Sequence, residues 1–366
     1  MLRIAQNCAE NGHEVTIFTG SWRGAMPSLP NIHVKILTTH GRLNHQRHAN
    51  LIQNMQLAVS QAPYDLIVGF NRMANLDVHY VADPCYIAKA HKRAWWHKLS
   101  GRYRFFRKTE AAVFGEQAHC QLLMLANQDI KTYRHWYHTP ITRFHVLSPS
   151  IPLERFSAIS QTERRLQLRR EFNLPTEAKV MLMVGSAFMR KGLDRAIEAL
   201  ANLPAEIKNN TWLLGVGEDE PQAMLALAKK HGLASRVMIE DGRADIAELM
   251  KGADMLIHAA RSELAGIVII EALTAGLPVL VSGVCGYAEH VEKANAGIVL
   301  SEPFNQVDCN NALQNMLENL SGNWQQNALD YTSMLHKNFS QTQELDLLET
   351  FAQIKSQAKS QVKLAV

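Results

Sequence analysis

The chain alternates short apolar runs with helix-forming stretches twice over, and this double alternation limits what it can fold into. In the first half, apolar runs at 15–18, 34–37, 66–69, 80–83, 121–125 and 144–147 are separated by helical stretches such as 44–60. Strands that alternate with helices predict a parallel sheet covered on both faces. Ser148-Pro-Ser-Ile-Pro152 then breaks the pattern, because two prolines hold the backbone extended. A basic helix is expected over 162–171. The alternation restarts at 180–184, with further strands at 212–215, 237–240, 255–258 and 278–281. Beyond about Asn305 the sequence reads as helical. The expected class is α/β, with one Rossmann-like domain over 1–148, a second over 149–321 and C-terminal helices over 322–366. The Lys/Gln/Ser-rich tail from Lys355 is expected to fray.

Bulk properties exclude several classes of function. With 366 residues and 47% hydrophobic content the chain can bury a large core, which excludes disorder. The net charge is only +4, so contact with a polyanion must come from a local patch. Five scattered cysteines (Cys8, Cys85, Cys120, Cys285, Cys309) and no CxxC pair argue for buried thiols in a reducing compartment, against a disulfide framework or a zinc site. No apolar run reaches the length of a membrane span, and the N-terminus lacks the apolar core of a signal peptide. A cytoplasmic location is expected.

One stretch, Arg261-Ser-Glu-Leu-Ala-Gly-Ile-Val-Ile-Ile-Glu-Ala-Leu-Thr-Ala-Gly-Leu-Pro-Val279, carries most of the chemistry. Glu263 falls on a loop after a strand, a helix starts near Gly266, and Glu271 sits about a turn inside it. Free amides at a helix start attract phosphate. Two carboxylates beside that phosphate repel a bare anion yet accept hydrogen bonds from hydroxyls. The stretch therefore suits a sugar joined to a phosphate. The competing reading is a helix start with two acids favoured by the macrodipole. It gives no role to Gly266, Ala275-Gly276 or Pro278-Val-Leu-Val281.

The same stretch, a Glu-x7-Glu pattern followed by Ala-Gly-x-Pro-Val, resembles the retaining nucleotide-sugar glycosyltransferases of the GT-B fold. Further segments fall in the order seen in the lipopolysaccharide core glucosyltransferase I family of Gram-negative bacteria. They include Gly20-Ser-Trp-Arg-Gly24, Val68-Gly-Phe-Asn-Arg-Met73, Asp77-Val-His-Tyr-Val-Ala-Asp83, Ser100-Gly-Arg-Tyr-Arg104, Arg190-Lys-Gly192 and Val284-Cys-Gly-Tyr287. The resemblance runs from Leu2 to about Tyr331. It implies two Rossmann-like domains facing a cleft, with a terminal helix, best placed at 323–338, that crosses back to the first domain. It also implies an opening strand and glycine-rich turn ahead of the helix with which this sequence starts. A sheet short of a central strand is expected, with lower stability and activity.

The resemblance assigns a donor site. Gly185 and Ser186 end a strand where backbone approaches the ligand. Ser186 stands where many relatives carry arginine. Arg190 and Lys191 would neutralise the diphosphate, Glu271 would accept both ribose hydroxyls, and Glu263 would hold the transferred sugar. The amides of Ala265, Gly266, Ile267 and Val268 would contact sugar and phosphates, and Arg243 would line the base pocket. As bare sequence, Arg190 and Lys191 equally suit a solvated loop. Asp83, at a strand end before Pro84, is the leading acceptor-side catalytic candidate beside Glu263, Arg190 and Lys191; it would equally cap the next helix. Asp77, His79 and His119 rank behind it. No metal and no cofactor are expected, with UDP-glucose as the donor substrate.

Residues 84–114 hold Lys89, Lys92, Arg93, Lys98, Arg102, Arg104, Arg107 and Lys108 against Glu110 alone, with Tyr86, Trp95, Trp96, Tyr103, Phe105 and Phe106 interleaved. Cations with interfacial aromatics suit an anionic bilayer, and equally nucleic acid or a helix pair that packs its rings inward. The resemblance favours the membrane and no nucleic acid, because its acceptor is a phosphorylated lipid on the cytoplasmic leaflet. His40, His45, Arg47 and His48 add charge nearby. The implied activity is retaining transfer of glucose from UDP-glucose to a heptose of the lipopolysaccharide inner core, by an enzyme peripheral on the cytoplasmic face of the inner membrane. The alternatives are a GT-B transferase for another nucleotide sugar or glycan, and an inactive truncated remnant that only binds membrane.

Overall fold

The computed structural model describes residues 1–149, 155–156, 159–320, 322–338 and 342–364. The chain divides into two compact units, Met1–Leu147 with Ser340–Val366, and Ser148–Phe339. Most of the expected 148–152 link lies outside the described residues.

The first unit opens on the helix Leu2–Glu10, which ends at Asn11 with Gly12 in the left-handed region. Its strands are β1 (Val15–Thr19), β2 (Ile32–Ile36), β3 (Val68–Gly69), β4 (Val78–Val81), β5 (Gln121–Met124) and β6 (Phe144–Val146). They form two separate parallel sheets, β1-β2 and β3-β4-β5-β6. The first helix serves both. Ile4 joins the core built on Val78 and Leu123, while Ala5 and Ala9 join the one built on Ile17 and Ile32.

The second unit has a single parallel sheet in the order β12-β11-β10-β7-β8-β9. Its strands are β7 (Lys179–Val184), β8 (Thr211–Val216), β9 (Val237–Glu240), β10 (Met255–His258), β11 (Val279–Ser282) and β12 (Gly297–Leu300). All residues of β8, β10 and β11 are buried, as continuous apolar runs between two helical layers must be. Sequence reading missed β12. From β7 the chain winds outward through β8 and β9, then returns to the other side of β7 with β10. The order therefore reverses between β7 and β10, and in open parallel sheets that is where ligands bind, beyond the carboxyl ends of the strands. The basic helix Gln161–Glu171 is anchored from below. Buried Arg169, together with Arg165, pairs with Asp254, whose carboxylate also accepts the Val180 amide at 2.6 Å.

The C-terminal expectation needs correction. The segment around 323–338 is the helix Trp324–Asn338, which belongs to the second unit and packs on Ile267–Thr274 and Ala288–Ala294. The helix that rejoins the first unit is Gln343–Leu364. Leu348 and Phe351 enter that unit's core, Lys355 reaches Asp77 at 2.6 Å, and Glu344 pairs with Arg3. The tail expected to fray from Lys355 is helical to Leu364, and 365–366 lie outside the described residues.

Candidate active site

The loops that follow β7 and β10 meet at the point where the strand order reverses. After β7 come Gly185 and Ser186, then a short helical turn Phe188–Lys191, so Arg190 and Lys191 sit on a turn and not on an open loop. Ser186 Oγ accepts the Glu218 amide at 3.0 Å, which ties this loop to the one after β8. Gly192 closes the turn at φ +82°, and a Cβ there would lie 2.0 Å from the Ala259 carbonyl oxygen. Only glycine lets the start of the next helix press so closely on the end of β10. The β10 loop is fixed from its other side as well. Arg261 holds Asp194 through two hydrogen bonds at 2.7 and 2.6 Å, and Arg195 donates to the Ala259 and Ala260 carbonyls.

Glu263 is the centre of this arrangement. Lys191 Nζ pairs directly with its Oε2, Arg190 lies at 3.7 Å, and Arg190 also donates to the Ser262 carbonyl at 3.3 Å. Behind it stands His258, the last residue of β10, fully shut from water with Nε2 at 3.7 Å from the same oxygen. Burial lowers the affinity of His258 for a proton, so it faces Glu263 as a neutral imidazole. Burial alone would raise the Glu263 carboxyl; the His258 imidazole and the Lys191 ammonium outweigh it and hold the group down at about 2. Glu263 is thus an ionised acceptor at neutral pH. It cannot serve as a general acid.

The helix Ile267–Thr274 begins beside this cluster. Gly266, at φ +86°, turns the chain into it and, as its N-cap residue, brings no side-chain oxygen to the first amides. Its first amides are left for an acceptor from outside the helix, in the field of the helix N-terminus. Glu271 lies one turn in. Burial raises its carboxyl, and Arg155, at 3.4 Å, offsets only part of the shift. A half-buried carboxylate with a single weak partner is an acceptor short of donors, which a pair of sugar hydroxyls would supply.

The structure thus brings together Gly185, Ser186, Arg190, Lys191, Glu263, Ala265, Gly266, Ile267, Val268 and Glu271. Arg243 behaves differently. Its guanidinium is committed to Asp245 at 2.7 Å and to Glu171 at 2.7 Å. In the first unit Asp83 is exposed just past β4. Its carbonyl accepts from Arg72 and Tyr133, and its side chain does not cap the following helix, whose flanking residue is Cys85. Asp77 is tied to Lys355 and the Ile67 amide, and His79 is a core histidine bonded to the Gly69 carbonyl; these roles are structural. His119 is exposed ahead of β5. Two residues of the cluster went unnoticed in the sequence, His258 and Arg155. The first was hidden as the last letter of an apolar strand, and the second follows the proline-broken stretch.

The basic segment divides its aromatics. Tyr103 is buried, and Tyr86 and Phe106 stack on each other at 5.2 Å, so these rings pack inward. Trp95, Trp96 and Leu99 do not: they form a short helical turn and remain 70%, 65% and 68% exposed. Lys89, Lys92, Arg93, Arg102, Arg104, Arg107 and Lys108 are exposed around them, and Lys98 is partly so. Glu110, the one acid of the segment, is fully buried. It accepts the Tyr86 and Ile87 amides at 2.7 and 3.0 Å and the Tyr137 hydroxyl at 2.7 Å, and it pairs with Arg72 at 2.7 Å. The outward face consequently carries cations alone.

Comparison with known proteins decides the family. Residues 164–330 match the family model of the glycosyl transferases group 1. Over 337 residues the chain is 40% identical to lipopolysaccharide glucosyltransferase WaaG of Escherichia coli K12, spanning 90% of this chain and 88% of that protein. This chain belongs to the lipopolysaccharide core glucosyltransferase family. A crystal structure of WaaG, described as a glycosyltransferase involved in lipopolysaccharide biosynthesis, matches with a TM-score of 0.82 at 39% identity over 91% of this chain and 90% of that one. The fold alone extends further. Anabaena Alr3699/HepE in complex with UDP-glucose matches with a TM-score of 0.67 at 17% identity, covering 98% of this chain and 95% of that one. As a member of the lipopolysaccharide core glucosyltransferases, the protein is a GT-B glycosyltransferase. The family model spans all of β7–β12 and so contains the cluster around Glu263 apart from Arg155.

Proposed function

We propose that this glycosyltransferase moves glucose from UDP-glucose to a heptose hydroxyl of the lipopolysaccharide inner core, with retention at the anomeric carbon. The observation that carries the reading is the grouping of Lys191, Arg190, an uncapped helix start and two acceptor carboxylates at the reversal point of the sheet. The diphosphate sits against the Ile267 and Val268 amides and draws Lys191 and Arg190 onto itself. The ribose hydroxyls donate to Glu271. The glucose hydroxyls donate to Glu263, which is acceptor-only because it stays ionised.

Glu263 serves as a binding group for the glucose hydroxyls and Glu271 for the ribose, so the scheme uses neither carboxylate as a covalent nucleophile. The acceptor oxygen therefore attacks on the face from which UDP departs. The bond between the anomeric carbon and the phosphate oxygen breaks with its electron pair going to the phosphate. That phosphate takes the proton of the acceptor hydroxyl. Lys191, Arg190 and the helix amides stabilise the charge that develops, a contribution worth roughly 10²–10³ in rate for one such donor. Asp83 is the acceptor-side group in this scheme.

The exposed Trp95-Trp96 turn and the acid-free cationic face dock the enzyme on an anionic bilayer as a peripheral protein, on the cytoplasmic leaflet where a lipid-linked acceptor is presented. Among the described residues no helix is long and apolar enough to cross a membrane. Two assays test the proposal. UDP release from UDP-glucose should require core-truncated lipopolysaccharide, and turnover of no nucleotide sugar at all would overturn the reading of the cluster. Flotation with liposomes should rise with anionic lipid and fall with salt; binding indifferent to both would remove the docking step.

A further inference from the structure

A second cationic cluster lies on the first unit, outside the 84–114 segment. The helix Gln128–Tyr137 turns Tyr133 and Tyr137 into the core, where Tyr133 stacks on Phe114 at 3.8 Å with the rings 5° from parallel. That packing fixes the rotation of the helix. Lys131, Arg134, His135 and His138, spaced as neighbours on one helical face, are therefore displayed outward, and all four are exposed. With Thr139 and Pro140 they line an open depression of about 460 Å³. None of the six lining residues is acidic, and among the described residues Lys131, Arg134 and His138 enter no ion pair. The nearby acid, Asp129, does not line it; burial raises its carboxyl, and the charges of Lys89 and Arg72 act on it in the opposite sense. The cavity floor is rigid, since the buried Thr139 hydroxyl bonds the Phe114 carbonyl.

Cations near the end of a helix also complement its dipole, which would account for Arg134 and His135 in the last turn. It does not account for a concave site with Lys131 a turn earlier and His138 on the far side of the helix end. We propose that this cavity binds a phosphomonoester. Arg134 offers a two-pronged donor that matches two phosphate oxygens, Lys131 a point charge, and the two imidazoles further N–H donors. Trp136, on the same helix, meets the ring of His91 at 4.3 Å, and His91 precedes the outward-facing Lys92 and Arg93 of the basic segment. A phosphate held here is remote in sequence from the Glu263 cluster and independent of it. The ligand is either a soluble sugar phosphate or the headgroup of a lipid that bears a terminal phosphate.

The test uses the full chain saturated with UDP, which occupies the nucleotide site. Equilibrium dialysis with labelled glucose 1-phosphate reads the soluble ligand. Sedimentation with vesicles containing equal charge as phosphatidic acid or phosphatidylglycerol reads the headgroup. Wild type is expected to bind glucose 1-phosphate, to prefer phosphatidic acid several-fold, or both, and each result supports the site while identifying its source. Lys131→Gln/Arg134→Gln should lower glucose 1-phosphate binding at least tenfold and abolish the preference for phosphatidic acid, with UDP affinity unchanged and phosphatidylglycerol binding reduced no further than the loss of two surface charges explains. Arg134→Lys keeps the helix-end charge but loses the two-pronged donor. It should keep the wild-type melting temperature and still weaken phosphate binding several-fold. Neither ligand bound above background, a double variant that binds like wild type, or an Arg134→Lys variant with undiminished binding would overturn the proposal.

Discussion

The two charged regions of this molecule solve opposite problems. Around Glu263, in the second unit, the ionised groups are partly buried and turned on one another. Lys191 neutralises Glu263, His258 stands behind it, and Arg261 holds Asp194. Along residues 84–114 of the first unit the cations face water, and the one acid of that segment has been taken inside. Charges in the first setting are weakly screened, and each is expected to matter greatly. Those in the second are screened by salt, and each contributes little but adds to the rest. On the proposed reading, the same residue types thus make a chemical site in one place and a membrane-docking surface in the other.

The comparison breaks first at Glu110, where the docking region contains a buried ion pair of its own. Glu110→Ala leaves Arg72 without its partner and two amides without an acceptor. It should cost about 3–5 kcal/mol in a denaturant titration, while vesicle binding per folded molecule stays unchanged. Lys191→Met should lower kcat/KM for UDP-glucose by roughly 10²–10³ and leave vesicle binding intact. An equal loss from Lys92→Gln would erase the contrast between the regions.

A pH titration compares the two units through His79 and His290, both held at about 4 against an ordinary 6.5, in each case chiefly by burial. With the folded value depressed, the unfolded chain takes up these protons first. The stability they contribute is complete above pH 6.5 and is lost as pH falls toward 4, at no more than about 1.4 kcal/mol per pH unit for each group. Melting temperature should fall over that window, and His79→Phe or His290→Phe should each flatten the fall. The smallest effects belong to the exposed face. Lys92→Gln should weaken binding to anionic vesicles about fivefold at low salt, near 1 kcal/mol per charge, and by nothing measurable once salt screens it.

Much of the second unit was legible because its strands are buried on both faces and so read as unbroken apolar runs. Strand β12 escaped because Gly297-Ile-Val-Leu300 is brief and follows at once on the turn at Asn295. The crossing helix was misplaced for a different reason. An amphipathic pattern shows that a helix buries one face, but not against what, and 324–338 and 343–364 both have such a face. At the site, glycines and paired acids at fixed spacing marked the cluster, since close backbone approach requires Gly192 and a positive φ requires Gly266. Side chains whose meaning depends on a distant partner gave no such sign. Glu110 looked like a stray acid in a basic helix, and Arg243 looked free until the fold set Glu171 and Asp245 beside it.

The central claim is that the diphosphate is held where the strand order reverses, between Lys191 and the start of the Ile267–Thr274 helix. A crystal structure of the UDP-glucose complex tests it most directly. The account predicts phosphate oxygens within hydrogen-bond reach of Lys191 Nζ and the Ile267 or Val268 amide, with both ribose hydroxyls on Glu271. A nucleotide bound elsewhere, with the Lys191–Glu263 pair undisturbed, would contradict it.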